Sequence, residues 1–480
     1  MPATIALPAE LVARIDRVGQ SHILAAYDRL TDAERASLLA QLQSLNLEEI
    51  PSLIESYVRH KPSFTLPAGL QPAPYFPNNP AASQRSWDQA GARARGLELI
   101  NSGKVACFTV AGGQGTRLGY DGPKGCYPAG GVSRKPLFQL FAEQIAAWSR
   151  RSGHLIPWYI MTSPLNHDAT VAFFTRHNFF GLPAESIMCF QQGVMPSFDM
   201  TTGRVLMSSP SEIATNPDGH GGSIAALHKS GAITDMKRRG ITTLSYFQVD
   251  NATVRVIDPA FIGLHSSPAD SSAEMSSKMI PKAYPEEKLG LFCSSGGRIE
   301  VIEYSDLPME LQRERMPDGS LRFLAGSIAV HVMGVAFIER LATDPAFSLP
   351  FHRAEKKVPC IDPATGARID PAAPNGIKLE RFVFDALPLC RASIVYETDR
   401  IEEFAPIKNA SGVDSPESCT KLQTLRAARW LRSVGIDVPL NDAGEPDCTI
   451  EISASTALEP SDLSSARLPR TVPRGSSLVL

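Results

Sequence analysis

The chain has 480 residues, and 47 Lys and Arg residues nearly balance 50 Asp and Glu residues, giving a formal net charge of −3. Dedicated nucleic-acid binders are usually basic, so this balance argues against nucleic acid as a partner but allows local phosphate sites. Apolar residues make up 43% of the chain, and no apolar run approaches the ~20 residues that span a bilayer. Because the N-terminal segment also lacks the layout of a secretory signal, we expect a cytoplasmic protein without membrane contact.

The eight cysteines are scattered along the chain, and no two of them form a C-x-x-C pair. This spacing indicates neither a zinc ribbon nor a disulfide framework. We therefore expect reduced, mostly buried thiols, as in a cytoplasmic protein.

The N-terminal part of the chain has helical patterns. Thr31 and Glu34 form a capping-box sequence, and leucines at 38, 39, 42 and 45 follow at helical spacing. A proline-rich stretch runs from Lys61 to Pro80, and proline both removes backbone donors and disfavours helix in its neighbour. We predict that this stretch is a surface linker.

Beyond the linker, short apolar runs alternate with helical patterns. We predict strands at 105–110, 158–162, 187–190 and 241–249, and helices at 137–148, 170–177 and 223–239. This alternation predicts an α/β fold with a doubly wound, mostly parallel sheet and helices on both faces. Right-handed crossovers place the loops after the strands along one edge, where ligands bind.

Three domains are predicted from these changes of pattern. Residues 1–95 are predicted to form a helical N-terminal segment with its linker, residues 96–395 the large α/β domain, and residues 396–480 a smaller C-terminal domain. A helix is predicted at 421–434. The tail after Ser453 is rich in Ser, Pro and Arg, so part of it is expected to be loose.

A glycine-rich segment, Ala111–Gly119, directly follows the strand predicted at 105–110. Its four glycines allow a close approach of backbone N–H groups to an anion. Arg117 adds a rigid fork of donors, and Lys124 follows in a Gly-Pro-Lys-Gly turn. The segment therefore predicts a phosphate-binding loop with a lysine at its rim.

Two familiar phosphate loops are excluded. The P-loop requires Gly-Lys-Ser/Thr, which does not occur here. The Rossmann fingerprint requires G-x-G-x-x-G, but counting from Gly113 the last position is Leu118, and no acidic residue stands at the expected place about 20 residues later.

The segment AGGQGTRLG followed by PKG resembles the signature of sugar-nucleotide pyrophosphorylases, most of all the eukaryotic-type UDP-N-acetylhexosamine pyrophosphorylases. The resemblance spans roughly residues 100 to 415, and it implies a Rossmann-like nucleotidyltransferase domain. The N-terminal helices carry no family signature, and the C-terminal tail is the least similar part. Further segments follow in the family's order: WYIMTS at 158–163, FQQG at 190–193, PDGHGG at 217–222, VDN at 249–251, EYS at 303–305, PNGIK at 374–378, RFVFD at 381–385 and PIKNA at 406–410.

The resemblance implies a role for individual residues. The nucleotide and its phosphates would be held by Gly112, Gly113, Gly115, Thr116 and Arg117. Lys124 would neutralise phosphate charge during transfer, Lys408 would contact the sugar-linked phosphate, and Asp250 would bind Mg²⁺. A lone Asp at the end of a strand suits Mg²⁺, which usually takes one or two carboxylates plus substrate phosphate.

The resemblance also implies residues for the base and the sugar. Gln192 and Gly219 would read the uracil edge, and Glu303 would meet sugar hydroxyls. Phe382 and Phe384 would shape the sugar pocket, although their alternation with Val383 is by itself more typical of a buried strand.

Two residues depart from the family pattern near the sugar. His220 and Ser327 both stand where the family usually has Asn. Serine lacks the amide, which both donates and accepts, and leaves space. Histidine is bulkier and is expected to become charged below pH ~6.5. These two changes leave open which sugar is accepted.

Together these features predict a Mg²⁺-dependent uridylyltransferase that converts UTP and N-acetylglucosamine 1-phosphate, or a related hexosamine 1-phosphate, to UDP-sugar and pyrophosphate. The nearest alternative is a pyrophosphorylase for glucose 1-phosphate or for a broad range of sugars. A nucleotide-sugar-dependent glycosyltransferase is a further alternative, but its usual Asp-x-Asp motif is absent from Val249-Asp250-Asn251-Ala252. A UDP-sugar binder without catalysis would not require Lys124, Asp250 and Lys408 together.

Overall fold

The computed structural model describes residues 5–344, 347–363 and 365–480. Contacts group the chain into two compact units, each assembled from segments that are far apart in sequence. The first unit comprises Met1–Thr65, Gln192–Gly222 and Ser348–Val383, and the second comprises Leu66–Gln191, Ser223–Phe347 and Phe384–Leu480. The three contiguous domains predicted from the sequence stay a prediction.

The N-terminal part of the first unit is helical, as predicted. Its longer helices are Ala9–Arg17 and Asp32–Ser44, and Ile50–Leu53 continues into the π-helical turn Ile54–Arg59. The Thr31 capping box is confirmed, because the backbone N–H of Thr31 donates to Glu34 Oε2 at 2.8 Å and that of Glu34 to Thr31 Oγ1 at 3.4 Å. These two bonds satisfy donors that a helix start would otherwise expose.

The helices of the first unit share a core with strands from its other two segments. Buried Ile15, Leu38 and Leu47 belong to one apolar cluster with Phe198 and Ile377. The strands are Val194–Pro196, Phe198–Asp199, Met207–Ser209, Glu212–Ile213, Thr215–Pro217, Phe351–Lys356, Cys360–Ile361, Arg368–Ile369 and Gly376–Arg381. The N-terminal helices therefore contribute to the hydrophobic core of this unit.

The second unit is built on a ten-stranded sheet. Its main order is Gln71–Pro72, Leu291–Ser295, Ala325–Gly334, Thr243–Gln248, Val105–Val110, Trp158–Thr162 and Ile187–Gln191, with Met275–Pro281, Arg298–Ile302 and Val395–Glu397 attached beside it. The last four strands of the main order are parallel, whereas Ala325–Gly334 is antiparallel to its neighbours. The predicted α/β class with a large central sheet is confirmed, and the predicted strands lie within one or two residues of their expected bounds.

The helices of the second unit also follow the predicted pattern, with one interruption. They are Gln89–Asn101, Leu137–Ser152, His167–Arg176, Ser223–Lys229, Ala232–Arg238, Pro259–His265, Met309–Arg313, Val335–Thr343, Arg400–Glu403 and Pro416–Ser433. The prediction of a single helix at 223–239 is wrong, because Gly231 takes a left-handed conformation with φ 81° and separates two shorter helices. No helix within the described residues is long and apolar enough to cross a membrane.

Two segments expected to be loose or peripheral belong to the packed structure. In the proline-rich stretch, Gln71–Pro72 pairs with the strand Leu291–Ser295 and Phe76 is buried, so the prediction of a simple surface linker is wrong. In the tail, Ser477–Val479 pairs with Thr449–Glu451 and Leu463 is buried, while the expectation that part of the tail is loose stays a prediction. Phe76 and Leu463 are thus buried, whereas Phe64 in the first segment and Val479 in the second are exposed. All eight cysteines are free, as expected.

Two helices of the second unit meet backbone against backbone. A Cβ added at Gly263 would lie 1.6 Å from the carbonyl oxygen of Ala92, and one added at Gly96 would lie 1.8 Å from that of Pro259. These distances leave no space for a side chain, so the helices Gln89–Asn101 and Pro259–His265 require glycine at both positions.

Gly263→Ala is therefore expected to lower the free energy of unfolding by about 2–3 kcal/mol, the usual cost of forcing a methyl group into a packed core. Urea unfolding followed by circular dichroism measures this change. Gly113→Ala is the matched control for stability, because nothing lies within 4 Å of a Cβ added there. Equal unfolding midpoints for the two variants would contradict the close helix contact.

Candidate functional site

The glycine loop, Ala111–Gly119, begins where the strand Val105–Val110 ends, at the carboxyl edge of the parallel strands. Buried Asn166 holds the start of this loop by donating its side-chain N–H groups to the carbonyl oxygens of Ala111 at 2.9 Å and Gly113 at 3.1 Å. Asn166 was not singled out in the sequence, because nothing local to it indicates a contact with a segment more than 50 residues earlier.

The turn that carries Lys124 packs directly on the glycine loop. The backbone N–H of Lys124 donates to Gly113 O at 3.0 Å, and that of Gly115 donates to Gly122 O at 2.9 Å. A Cβ at Gly115 would lie 2.7 Å from the ring of Tyr120, so this glycine permits the close packing of the two segments. The structure thus places Lys124 beside the loop.

Cationic groups at this loop are available for a ligand. Thr116 and Arg117 are exposed in the short 3₁₀ turn Thr116–Leu118. Neither Arg117 nor half-buried Lys124 makes a side-chain hydrogen bond or ion pair with any residue that the structure describes. With the backbone amides of the loop, these two side chains can offer donors to phosphate oxygens.

Asp250 lies at the same edge of the sheet as the glycine loop. Gln248 pairs in parallel register with Val110, and the N–H of Val249 donates to Val110 O at 3.1 Å. The Asp250 carboxylate is half-buried and has no hydrogen-bond or ion-pair partner among the described residues. Within those residues no group of three or more His, Cys, Asp or Glu side chains could hold a metal by itself. The donor set therefore fits Mg²⁺ bound by one carboxylate plus substrate phosphates.

Lys408 is brought to Asp250 by a backbone contact. The N–H of Ile407 donates to the carbonyl oxygen of Asp250 at 2.9 Å, and Lys408 is the next residue. Its Nζ lies 3.5 Å from Asp414 Oδ2 and its side chain is 40% exposed. At that exposure the ion pair is weak, which leaves the ammonium group able to exchange its partner for a phosphate.

Glu303 and Ser327 both lie beside Gly290. The N–H of Ser327 donates to Gly290 O at 2.8 Å, and a Cβ added at Gly290 would lie 3.0 Å from Glu303 Oε1. Ser327 stands on the strand Ala325–Gly334, which is antiparallel to Thr243–Gln248 with Tyr246 opposite His331. Ser327 therefore lies beyond the carboxyl end of the strand Thr243–Gln248, at the same edge of the sheet as Asp250.

Four of the predicted site residues, Gln192, Gly219, His220 and Phe382, belong to the first unit. Gln192 is buried, and Gly193 O accepts from Asp218 N at 3.1 Å, so Gln192 and Gly219 lie at the same end of the paired strands Val194–Pro196 and Thr215–Pro217. Gly219 has φ 84°, and a Cβ there would lie 2.4 Å from Arg381 O, which excludes any other residue without rearrangement.

His220 stacks on Phe382, which in turn stacks on His352. The ring centroids are 5.1 Å apart in the first pair and 4.1 Å in the second. His220 Nδ1 accepts a hydrogen bond from the N–H of Val383 at 3.1 Å, so the imidazole is neutral with its proton on Nε2. Burial and the neighbouring His352 lower the pKa of His220 to about 4, which corrects the expectation that it gains charge below pH ~6.5.

Phe382 and Phe384 do not continue a strand. The strand Gly376–Arg381 ends before them, and Val383–Leu389 forms a 3₁₀ helix in which Phe384 is buried. The prediction of a strand from the alternation of Phe382, Val383 and Phe384 is therefore wrong. The roles of all the predicted site residues stay predictions, whereas the clustering of the glycine loop, Lys124, Asp250 and Lys408 is a property of the second unit.

The chain is similar to known proteins over most of its length. Residues 84–425 match the family model described as UTP–glucose-1-phosphate uridylyltransferase. The chain is 35% identical over 452 residues to UDP-N-acetylglucosamine diphosphorylase 2 of Arabidopsis thaliana, covering 91% of this chain and 87% of that protein. It is also 35% identical over 431 residues to the UDP-N-acetylglucosamine pyrophosphorylase of Saccharomyces cerevisiae, covering 87% and 90%.

A solved structure gives the same result for the fold. The UDP-N-acetylglucosamine pyrophosphorylase of Trypanosoma brucei, determined in complex with an inhibitor, superimposes with a TM-score of 0.78 at 26% identity. The alignment covers 96% of this chain and 95% of that structure. The similarity therefore extends over nearly the whole length of both chains.

Proposed function

The chain belongs to the UTP–glucose-1-phosphate uridylyltransferase family, and on this basis we propose that it is a Mg²⁺-dependent uridylyltransferase that converts UTP and N-acetylglucosamine 1-phosphate to UDP-N-acetylglucosamine and pyrophosphate. The names of its similar relatives, which are UDP-N-acetylglucosamine pyrophosphorylases and diphosphorylases, support the choice of sugar. The cytoplasmic location expected from the sequence stays a prediction.

One observation carries the proposal: four elements suited to phosphate transfer share one edge of the sheet in the second unit. The glycine loop supplies backbone donors, Lys124 stands on a turn packed against it, and Asp250 follows the neighbouring strand. Lys408 is joined to Asp250 through the Ile407 N–H. Such an edge collects the loops in which α/β proteins bind their ligands.

The reaction needs charge neutralisation more than proton transfer. A phosphate oxygen of the sugar 1-phosphate attacks the α-phosphorus of UTP in line, and pyrophosphate leaves on the opposite side. The nucleophile is already anionic, so no general base is required. Arg117, Lys124 and Lys408 stabilise the negative charge and orient the two phosphate groups. Asp250, together with substrate phosphate oxygens, would hold Mg²⁺, and the bound ion would supply further positive charge to the phosphates.

Recognition of the base and of the sugar is proposed for the residues that the family resemblance implied. Gln192 and Gly219 are the proposed uracil contacts, and the sugar contacts are His220, Glu303, Ser327, Phe382 and Phe384. Because His220 Nδ1 accepts from the N–H of Val383, the imidazole is neutral and brings no charge to the proposed sugar site.

The assay that tests the function compares pyrophosphate release from UTP with N-acetylglucosamine, N-acetylgalactosamine, glucose and galactose 1-phosphates. We expect kcat/KM for N-acetylglucosamine 1-phosphate to exceed that for glucose 1-phosphate by about tenfold or more, as for a site that recognises one additional polar group. Replacing UTP with the other nucleoside triphosphates is the control for base recognition.

Each alternative predicts a different result in the same assay. Equal rates with and without the N-acetyl group would contradict the hexosamine assignment and favour a broad-range pyrophosphorylase. Release of free UDP from a UDP-sugar would indicate a glycosyltransferase. Uridine binding without pyrophosphate exchange would indicate a binding protein without catalysis.

A further inference from the structure

A lysine is completely buried in the second unit between two carboxylates. Lys278, on the strand Met275–Pro281, is 0% exposed, and its Nζ lies 2.6 Å from Asp258 Oδ2 and 2.6 Å from both carboxylate oxygens of Glu403. Burial raises the pKa of Asp258, but Lys278 and Arg255 outweigh this effect and lower it to about 2. Asp258, Lys278 and Glu403 thus form a buried triad, in which the Lys278 side chain lies within hydrogen-bond distance of both carboxylates.

Glu403 joins this triad to the segment that follows Asp250. Its backbone carbonyl accepts from Asn251 Nδ2 at 2.6 Å, and its Oε1 accepts from the N–H of Arg255 at 3.3 Å. The hydroxyl of Thr398 also donates to its carboxylate. Asn251 is itself buried, and its Oδ1 accepts from the N–H of Ala405 at 3.0 Å. Both polar atoms of the Asn251 amide are thus used to hold residues 403–405.

The two segments joined in this way carry two proposed site residues. Asp250 immediately precedes Asn251, and Lys408 follows Ile407, whose N–H donates to Asp250 O at 2.9 Å. One segment runs from residue 250 to 258 and the other from 403 to 408. The ion pairs of Lys278 with Asp258 and Glu403 restrain the end of each segment that lies away from Asp250 or Lys408 in sequence. We name Asn251, Asp258, Lys278 and Glu403 the buried clamp.

Stability alone is a poor explanation for such a clamp. Burying three charges carries a large desolvation cost, and well-packed neutral side chains of similar size often stabilise a protein as well or better. Charge-assisted hydrogen bonds do, however, fix geometry more tightly than apolar contacts, which are not directional. The clamp is therefore suited to defining a distance between segments.

We propose that Asn251, Lys278 and Glu403 are positioning residues that fix the spacing between Asp250 and Lys408. This inference rests on the proposed function, in which those two residues serve the same pair of phosphates. A small displacement of either would misplace the sugar phosphate relative to the α-phosphorus, and misplacement by about 1 Å can cost on the order of 10²-fold in rate.

The test uses a neutral clamp, Asp258→Asn/Lys278→Met/Glu403→Gln, in the full-length chain, and Asn251→Ala as an independent second variant. The neutral clamp keeps nearly the same volume and removes all three charges of the triad, while the neighbouring Arg255 keeps its ion pair with Glu402 at 3.4 Å. For both variants we expect KM for the sugar 1-phosphate to rise by about tenfold and KM for UTP to change less than about twofold, since Lys408 is assigned to the sugar-linked phosphate. Lys237→Met is the matched control, because it breaks an exposed ion pair with Glu339.

Hydrogen–deuterium exchange of residues 400–408 supplies a readout that does not depend on activity. We expect exchange at the Ile407 N–H to become at least about tenfold faster in both variants, with no change in the strand Thr243–Gln248. Unchanged exchange, or faster exchange with an unchanged KM for the sugar phosphate, would overturn the inference. If the wild-type protein releases no pyrophosphate with any sugar phosphate, the proposed function itself fails, whereas the exchange result still decides whether the clamp holds the two segments.

Discussion

Replacing Asp250 by Asn is expected to lower kcat for pyrophosphate release by roughly 10²–10³-fold while the protein remains folded. The substitution removes the carboxylate that is proposed to hold Mg²⁺ but keeps the backbone carbonyl that accepts from Ile407. It breaks no side-chain hydrogen bond or ion pair with any described residue. Initial rates over a range of Mg²⁺ concentrations, together with thermal unfolding, measure the two effects separately.

The matched control is Asp442→Asn in an exposed turn, which is expected to leave the rate unchanged. Removing divalent cations from the wild-type enzyme with a chelator should reduce its activity to the level of the Asp250 variant, and added Mg²⁺ should restore it. A near-normal rate of Asp250→Asn at saturating Mg²⁺ would show that the metal assignment is wrong.

Lys124→Met is expected to lower kcat/KM by at least about 100-fold, because it removes a positive charge from the place where phosphate charge develops in the transition state. The backbone of Lys124 is held to the glycine loop by the bond to Gly113 O at 3.0 Å, so the loop should keep its conformation. Single-turnover formation of UDP-sugar at saturating UTP separates the chemical step from product release.

Lys229→Met provides the comparison for this variant, since Lys229 is exposed and stands away from the glycine loop in sequence. Lys124→Arg should recover part of the lost rate, because it restores the charge with a different shape. Equal rates for Lys124→Met and the wild type would remove Lys124 from the proposed mechanism. Loss of binding to both substrates together with loss of folding would instead indicate a structural role.

Local sequence patterns predicted the elements that depend on residues close together in the chain. The Thr31 capping box, the buried strand Val105–Val110 and the helix Leu137–Ser152 all follow from side chains within a few turns or pleats of one another. The glycine loop was predictable for the same reason, because its glycines and its strand are adjacent. Ordered family segments along the chain added the roles assigned to Lys124, Asp250 and Lys408.

Predictions from the sequence were wrong where a contact with a distant part of the chain overrides the local pattern. The proline-rich stretch was predicted to be a surface linker, but Gln71–Pro72 pairs with Leu291–Ser295 and Phe76 is buried. The titration expected of His220 was wrong because burial desolvates its ring and the charge of His352, which is far away in sequence, further disfavours protonation, so that its pKa falls to about 4. Neither effect leaves a signal in the residues that surround the affected position.

The sequence by itself determined the α/β class and the family, and it predicted a phosphate-binding role for the glycine loop, since each depends on local spacing or on the order of motifs. Only the tertiary structure decided that Asp250 and Lys408 are neighbours, that Glu303 and Ser327 meet at Gly290, and that Lys278 lies between Asp258 and Glu403. These contacts join residues separated by up to about 160 positions. They depend on strand register and on the pairing of buried charges, which are properties of the packed chain.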